Sequence, residues 1–424
     1  MQGSDWRNDT IALVSQETSR AADADDEEFP DSPVPGVKRP VFFLGIVSFF
    51  TDVSSEMIYP LIPLFLTGAV GAPVAAVGII EGVAESTASF SRLLSGWLSD
   101  KLRMRKPLVI LGYGLSALAK PLLAAATVWP AALGARFVDR LGKGVRTAPR
   151  DALLADVSSK EKRGRAFGFH RAADSAGAVI GPAIGLGLFE LLSHHYRPVF
   201  IIAAIPAVAG VIALLFIPER RPKESVRAAG DPTPVTKLGH RFYVFLGISL
   251  LFAFGNSSDA FLILRSENLG LTTTATVSAY ILYNLVYTLG SFPAGIASDR
   301  FGRRNIIVPG FALFALVYLG FGIVTDGWFV WPLFAIYGLY IAFTDAVGKA
   351  WVIDFAPPDA KATAIGIYTG ATGAMVLVAS VVAGVLWDQV DPAAPFILGA
   401  TTGLASAVLV FVLLRTPAGE PRIA

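Results

Sequence analysis

RFVDRLGKGVRTAPRD, residues 136–151, carries seven charged side chains, and apolar segments of membrane length flank it on both sides. A charge near the bilayer centre costs several kcal/mol. The stretch therefore lies outside the membrane or lines something other than lipid. On a helix of about 100° per residue, Arg136, Asp139, Arg140, Lys143, Arg146 and Arg150 fall in a stripe roughly 120° wide. Phe137, Val138, Leu141 and Val145 occupy the other face. Such a helix can turn charge to one side and lipid or protein to the other. Gly142, Gly144 and Pro149 permit it to bend.

The surroundings favour a membrane. Of 424 residues, 54% are hydrophobic and 16% charged, whereas a soluble domain has about 45–50% and about 25%. Apolar runs of about 20 residues recur, the length that spans a hydrocarbon core of roughly 30 Å. The chain is expected to be an all-α membrane protein with the lipid bilayer as its main partner. It has no cysteine and four histidines, which excludes disulfides and thiolate metal sites. No metal, cofactor or nucleic-acid partner is expected. Residues 1–36 hold nine acids against two bases, a charge of −7 inside a total of +2, so the rest carries +9. Residues 1–39 read as a disordered, acidic cytoplasmic tail.

Twelve spans are expected at about 41–68, 74–99, 106–127, 129–155, 165–192, 197–217, 241–266, 273–298, 304–325, 328–354, 361–387 and 393–414. The charged stretch 218–240 reads as a cytoplasmic linker between two six-helix bundles, 40–217 and 241–424. Lys and Arg concentrate in the loops after even-numbered spans, which places those loops and both termini in the cytoplasm. The halves also repeat. GWLSDKLRMRK from Gly96 answers GIASDRFGRRN from Gly295, and the SSE at 54–56 answers the SSD at 257–259. Two six-span halves related by an axis along the membrane normal are a transporter plan.

With these motifs in place the chain resembles the major facilitator superfamily, along its whole length after the tail. The family's loop signature is G-x-x-x-D-[RK]-x-G-[RK]-[RK]. Gly295, Asp299, Arg300, Gly302, Arg303 and Arg304 match it, as do Gly96, Asp100, Lys101 and Arg105, with Arg103 where the family has Gly. A small residue lets helices approach, and an aspartate one turn later can face a neighbouring helix N-terminus. The resemblance implies that Asp100 meets span eleven and Asp299 meets span five, together gating one closed state. GAVIGPAIG, with Gly177, Gly181, Pro182 and Gly185, resembles the family's antiporter signature, which is associated with export. Arg136 matches its membrane-embedded arginine.

Partners for the charged stripe lie on other spans. Asp52, Ser55, Glu56 and Tyr59 share an arc of span one, Glu81 and Glu85 a face of span two, and His170, Arg171 and Asp174 a face of span five. Asp52, Glu56, Glu81, Glu85, Arg136, Arg140 and Asp174 are the candidates for proton coupling. A substrate cavity would add Tyr59, Lys143, His170 and Arg171. From the second half it would take Asn256, Asp259, Tyr280, Tyr283, Asn284, Tyr287, Tyr337, Tyr340 and Tyr368. These tyrosines either line a binding wall or pack a core.

The expectation is a monomeric secondary transporter of the bacterial inner membrane. It would export a drug, toxic compound or metabolite against a proton (or sodium) gradient by alternating access. A transporter of an anionic metabolite or phosphate ester, held on the span-four arginines, and a non-transporting sensor or scaffold remain open. An enzyme is not expected, because no His-Glu-x-x-His helix, P-loop or G-x-S-x-G elbow occurs.

Overall fold

Proline and glycine set several of the helix starts, bends and stops. A computed structural model describes residues 30, 32–35, 37–102, 104–158, 163–217, 238–357 and 360–414. Most of the expected tail, linker and last ten residues thus fall outside the described residues. Helix α1 (Arg39–Ile58) opens with Pro40 in its first turn. It runs on through irregular turns to Ala69, because Pro60 and Pro63 remove two backbone donors. Then come α2 (Val74–Leu102), α3 (Lys106–Ala125), α4 (Trp129–Asp156) and α5 (Arg163–Leu191). The sixth span is α6a (Tyr196–Ile202) and α6b (Ala204–Leu215); Pro206 cannot donate to the Ile202 carbonyl, which explains the break.

The second half begins with a departure from expectation. The seventh span is not one helix but α7a (His240–Gly255) and α7b (Ala260–Asn268). Between them the Ser258 hydroxyl accepts from the Ala260 amide at 3.3 Å. Short polar side chains there offer the backbone an alternative to the helical ladder. α8 (Thr273–Phe301) is capped by Thr272, whose hydroxyl accepts from the Ala275 amide at 3.2 Å. It ends at Gly302, with φ of 90°, a conformation that favours glycine. α9 (Arg303–Ile323), α10 (Val330–Asp354), α11 (Lys361–Gln389) and α12 (Ala394–Leu413) complete the order.

Among the described residues nine spans, with α6a–α6b and α7a–α7b each taken as one, are long and apolar enough to cross a membrane. α2, α4 and α8 are as long but more polar. α2 carries Glu81, Glu85 and Arg92, α4 the charged stripe, and α8 a run of Thr, Tyr and Asn. Their polar groups find partners on other helices, as the site below illustrates. Packing repeats six helices apart: α1 lies on α6b as α7a lies on α12, α2 on α4 as α8 on α10, and α3 on α4 as α9 on α10. The two halves meet mainly through α2 against α11 and α5 against α8.

The closest approach is α1 on α5. A Cβ at Gly177 would sit 2.8 Å from the Phe49 carbonyl oxygen and 2.9 Å from the Asp52 Cβ. At Gly181 it would sit 2.8 Å from the Val53 oxygen and 2.9 Å from the Glu56 Cβ, and at Gly185 it would collide with Met57. The glycines of the span-five signature thus let α1 settle directly on α5, which sets the rotation of Asp52 and Glu56. We predict that Gly181→Val lowers stability by about 2–3 kcal/mol. Gly187→Ala, at a position with open space, should leave the thermal midpoint in detergent unchanged or slightly raised. Equal midpoints for the two variants would refute this account of the packing.

Candidate functional site

α4 delivers its charges at successive turns, and each of the inner ones meets a counter-charge from another helix. The Arg136 guanidinium forks onto Glu81 of α2: its Nη2 donates to Oε1 at 2.7 Å and to Oε2 at 2.9 Å, and its Nε to Oε1 at 3.1 Å. Arg136 is 3% exposed and Glu81 1%. A fork of this kind is among the stronger charge-assisted contacts. One turn on, Arg140 faces Glu85 of α2 at 3.4 Å. The Tyr59 ring of α1 lies 5.8 Å from both guanidinium carbons, within cation–π range. Arg146 donates to the Ser116 hydroxyl at 2.6 Å and lies over the Tyr113 ring at 4.6 Å. Arg150 pairs with its neighbour Asp151 at 2.8 Å.

Asp139 sits between the arginines, and its main partner comes from α3. Lys120 Nζ donates to Asp139 Oδ1 at 2.9 Å and to the Ser55 hydroxyl at 3.4 Å, and Lys120 is 1% exposed. Lys120 lies outside the charged stripe that the sequence predicts. Its signal is a lysine deep inside span 106–127, whose only other charge is Lys106 at its edge.

A hollow opens between α1 and α4. Asp52, Ser55, Glu56, Ile58 and Tyr59 line it from one side, and Arg136, Asp139, Arg140, Lys143 and Arg146 from the other. Lys143 is exposed there and makes no ion pair among the described residues. The Glu56 carboxylate accepts from the Tyr280 hydroxyl of α8 at 3.2 Å, a contact between the halves. Further along α1, Asp52 comes within hydrogen-bonding reach of Asp174 of α5. Asp174 also accepts from the Ser48 hydroxyl at 2.8 Å and faces Arg171 at 3.5 Å. Arg171 donates to the Tyr287 hydroxyl at 3.0 Å, which donates to Asp345 of α10 at 3.4 Å. Lys349 closes that chain on Asp345 at 2.5 Å. His170 is buried, and its Nε2 has no hydrogen-bond partner among the described residues.

The second-half candidates lie elsewhere. Tyr280, Tyr283, Tyr337 and Tyr340 are buried and pack in tilted or T-shaped pairs with centroids 5.2–5.3 Å apart. They close around Asp259, which accepts from Tyr337 at 2.6 Å and from Tyr283 at 3.4 Å. Asn256 donates to the Tyr340 oxygen at 3.1 Å, and Asn284 to the Tyr280 carbonyl at 3.2 Å. Tyr368 stacks on Phe245 at 6.1 Å. None of them is among the residues that line the hollow, but Tyr280 reaches its edge, with its ring 5.8 Å from that of Tyr59.

The two loop signatures differ. In the first, a Cβ at Gly96 would meet Ala148 of α4 at 3.3 Å, and Lys101 lies 4.7 Å from the Trp97 ring. Arg105 pairs with Asp156 at the end of α4 and donates to the Ala152 carbonyl at 3.0 Å. The Asp100 side chain and Arg103 lie outside the described residues. The second departs from expectation. Among the described residues nothing lies within 4 Å of a Cβ at Gly295, and the ion pair of Asp299 is with Arg303, across Gly302 at the start of α9. Arg303, at i+4, is the nearer counter-ion. It reaches Asp354 as well, at 3.3 Å. Arg304 donates to the Phe411 carbonyl at 2.5 Å, and Arg300 lies 5.4 Å from the Phe301 ring.

With this geometry in place, comparison with known proteins is informative. The family model of the Major Facilitator Superfamily matches residues 44–280 and 244–423. An uncharacterised MFS-type transporter of Methanocaldococcus jannaschii is 33% identical, over 89% of this chain and 95% of that protein. The quinolone resistance protein NorA of Staphylococcus aureus is 22% identical, over 89% of this chain and 97% of its own. The crystal structure of the nucleoside transporter NupG superposes with a TM-score of 0.74 at 16% identity, covering 89% of this chain and 100% of that one; at that identity the likeness concerns the fold.

Without Glu81, buried Arg136 loses its forked partner and keeps only the looser ion pair with Asp139 at 3.5 Å. Glu81→Leu should cost about 3–5 kcal/mol in unfolding experiments in bicelles, and Glu81→Leu with Arg136→Met should recover most of it. Additive losses in the double variant would show that the pair is not coupled.

Proposed function

We infer that this chain, which belongs to the Major Facilitator Superfamily, exports a small molecule by alternating access, driven by protons moving the other way. The observation that carries the reading is the contact between Glu56 and Tyr280. Glu56 faces the hollow, and its nearest donor belongs to the other half. When the halves rock, that carboxylate gains or loses its hydrogen-bond donor. Its affinity for a proton then differs between the two states, which is what coupling requires. Glu81 and Glu85 are held by arginines of their own half. They are suited to keeping Arg136 and Arg140 in place while Glu56, backed by Asp52 and Asp174, exchanges the proton. The full-length likeness to a quinolone resistance protein supports export.

We further propose that the functional units are the bundles 40–217 and 241–424, and that the protein works as a monomer in a bacterial inner membrane. The basic loops support cytoplasmic termini. The rival reading, an anionic metabolite bound on the α4 arginines, loses support because Arg136 and Arg140 already face Glu81 and Glu85.

The test begins with growth of a transporter-deficient host on a panel of toxic compounds, followed by proton flux in proteoliposomes with a compound so identified. Glu56→Gln should abolish compound-driven proton flux. Tyr280→Phe should weaken it by about tenfold or less, the worth of one hydrogen bond. Full coupling in Glu56→Gln would remove Glu56 from the mechanism.

A further inference from the structure

We propose that Lys120 is a positioning residue for the transport cycle: by engaging Asp139 it keeps that carboxylate from drawing Arg136 and Arg140 away from Glu81 and Glu85. This rests on the proton-coupled reading above. Lys120 competes with the two arginines for Asp139. Asp139 Oδ1 is 2.9 Å from Lys120 Nζ, while Oδ2 lies 3.5 Å from Arg136 Nη1 and 4.0 Å from Arg140 Nε. The lysine contact is thus a direct hydrogen bond, and the arginine contacts are looser. Arg140 Nε has no hydrogen-bond partner among the described residues, so it is free to swing onto Asp139 if the lysine goes.

Lys120 is 1% exposed and comes from behind α4. It passes Ser55 of α1 and takes no part in lining the hollow. The charged groups nearest this pair are few. α4 offers Arg136, Arg140, Lys143 and Arg146, α2 offers Glu81 and Glu85, and α1 offers Asp52 and Glu56. Arg197 of α6a is committed to the Ala124 and Ala126 carbonyls at 2.6 and 2.9 Å. With Lys120 present, Glu81, Glu85 and Asp139 each have a nearest base of their own, Arg136, Arg140 and Lys120, and the proton-exchanging carboxylate on α1 sees a fixed field. Without it, Asp139 is left to Arg136 and Arg140, and the hollow loses one neighbouring positive charge.

Because the chain has no cysteine, a pair of introduced cysteines can be spin-labelled without background. Leu191 at the end of α5 and Trp328 beside the start of α10 are exposed and lie in different halves. In lipid nanodiscs, the distance between labels at these sites, followed as pH changes, reports the protonation that drives rocking. No ligand is needed. Lys120→Gln should move the pH midpoint by about one unit to alkaline, a tenfold gain in proton affinity, and Asp139→Asn about as far to acid. Lys120→Gln with Asp139→Asn should return it, and Lys120→Arg should leave it near the original. A merely structural role would lower yield without moving midpoints in opposite directions. Midpoints unmoved in a chain that responds to pH would overturn this proposal alone. Distances that ignore pH in the otherwise unmodified chain would overturn the proton-coupled reading and this proposal with it. Should Lys120→Gln fail to fold, Asp139→Asn and the double variant still decide the matter.

Discussion

Charge inside a membrane must be matched within the protein, and that requirement shapes the first half of this molecule. α4 carries more charge than any lipid-facing helix could bear. Its inner groups are matched one by one: Arg136 by Glu81, Arg140 by Glu85 and Asp139 by Lys120. These pairs come from α2 and α3, which lie on either side of α4. They therefore fix its rotation as well as its charge. Replacing such a buried pair with apolar residues is often neutral for stability, so retaining three of them is better explained by the hollow they frame than by folding.

A second constraint brings α1 to that hollow. The glycines of α5 let the α1 backbone come close. Asp52 and Glu56 then face α4 and α8 rather than lipid. The halves are unequal partners here. The first supplies ionised groups; the second supplies tyrosines packed around Asp259. They speak to each other through two tyrosines of α8, Tyr280 to Glu56 and Tyr287 to Arg171. Seven residues apart, these lie two turns along one helix face. The ionised groups of the first half thus touch the second at two depths.

Much of this was legible in residue order. The charge stripe at 136–151, the apolar periodicity and the repeated GWLSD and GIASD loops predict a two-half helical transporter, and the fold agrees. The elements that escaped are instructive. Span seven was read as continuous, because Asn256, Ser257 and Ser258 are individually tolerable in a helix and only their combined backbone competition breaks it. Lys120 was passed over because a stripe argument looks along one helix, whereas its partner is on the next. The expected clip of Asp299 on α5 lost to Arg303, a nearer charge in its own loop.

By itself the sequence determined that this protein lives in a bilayer, folds as two related helical halves and hides ionised groups on inward faces. Hydrophobic length and periodicity are local properties, and they read directly from the order of residues. Which base takes which acid was decided only by tertiary structure, as were the contact of Glu56 with Tyr280 across the halves and the packing of Tyr283 and Tyr337 around Asp259. Those outcomes depend on distances between helices, and several pairings within one set of charges are equally good on paper until packing places the helices.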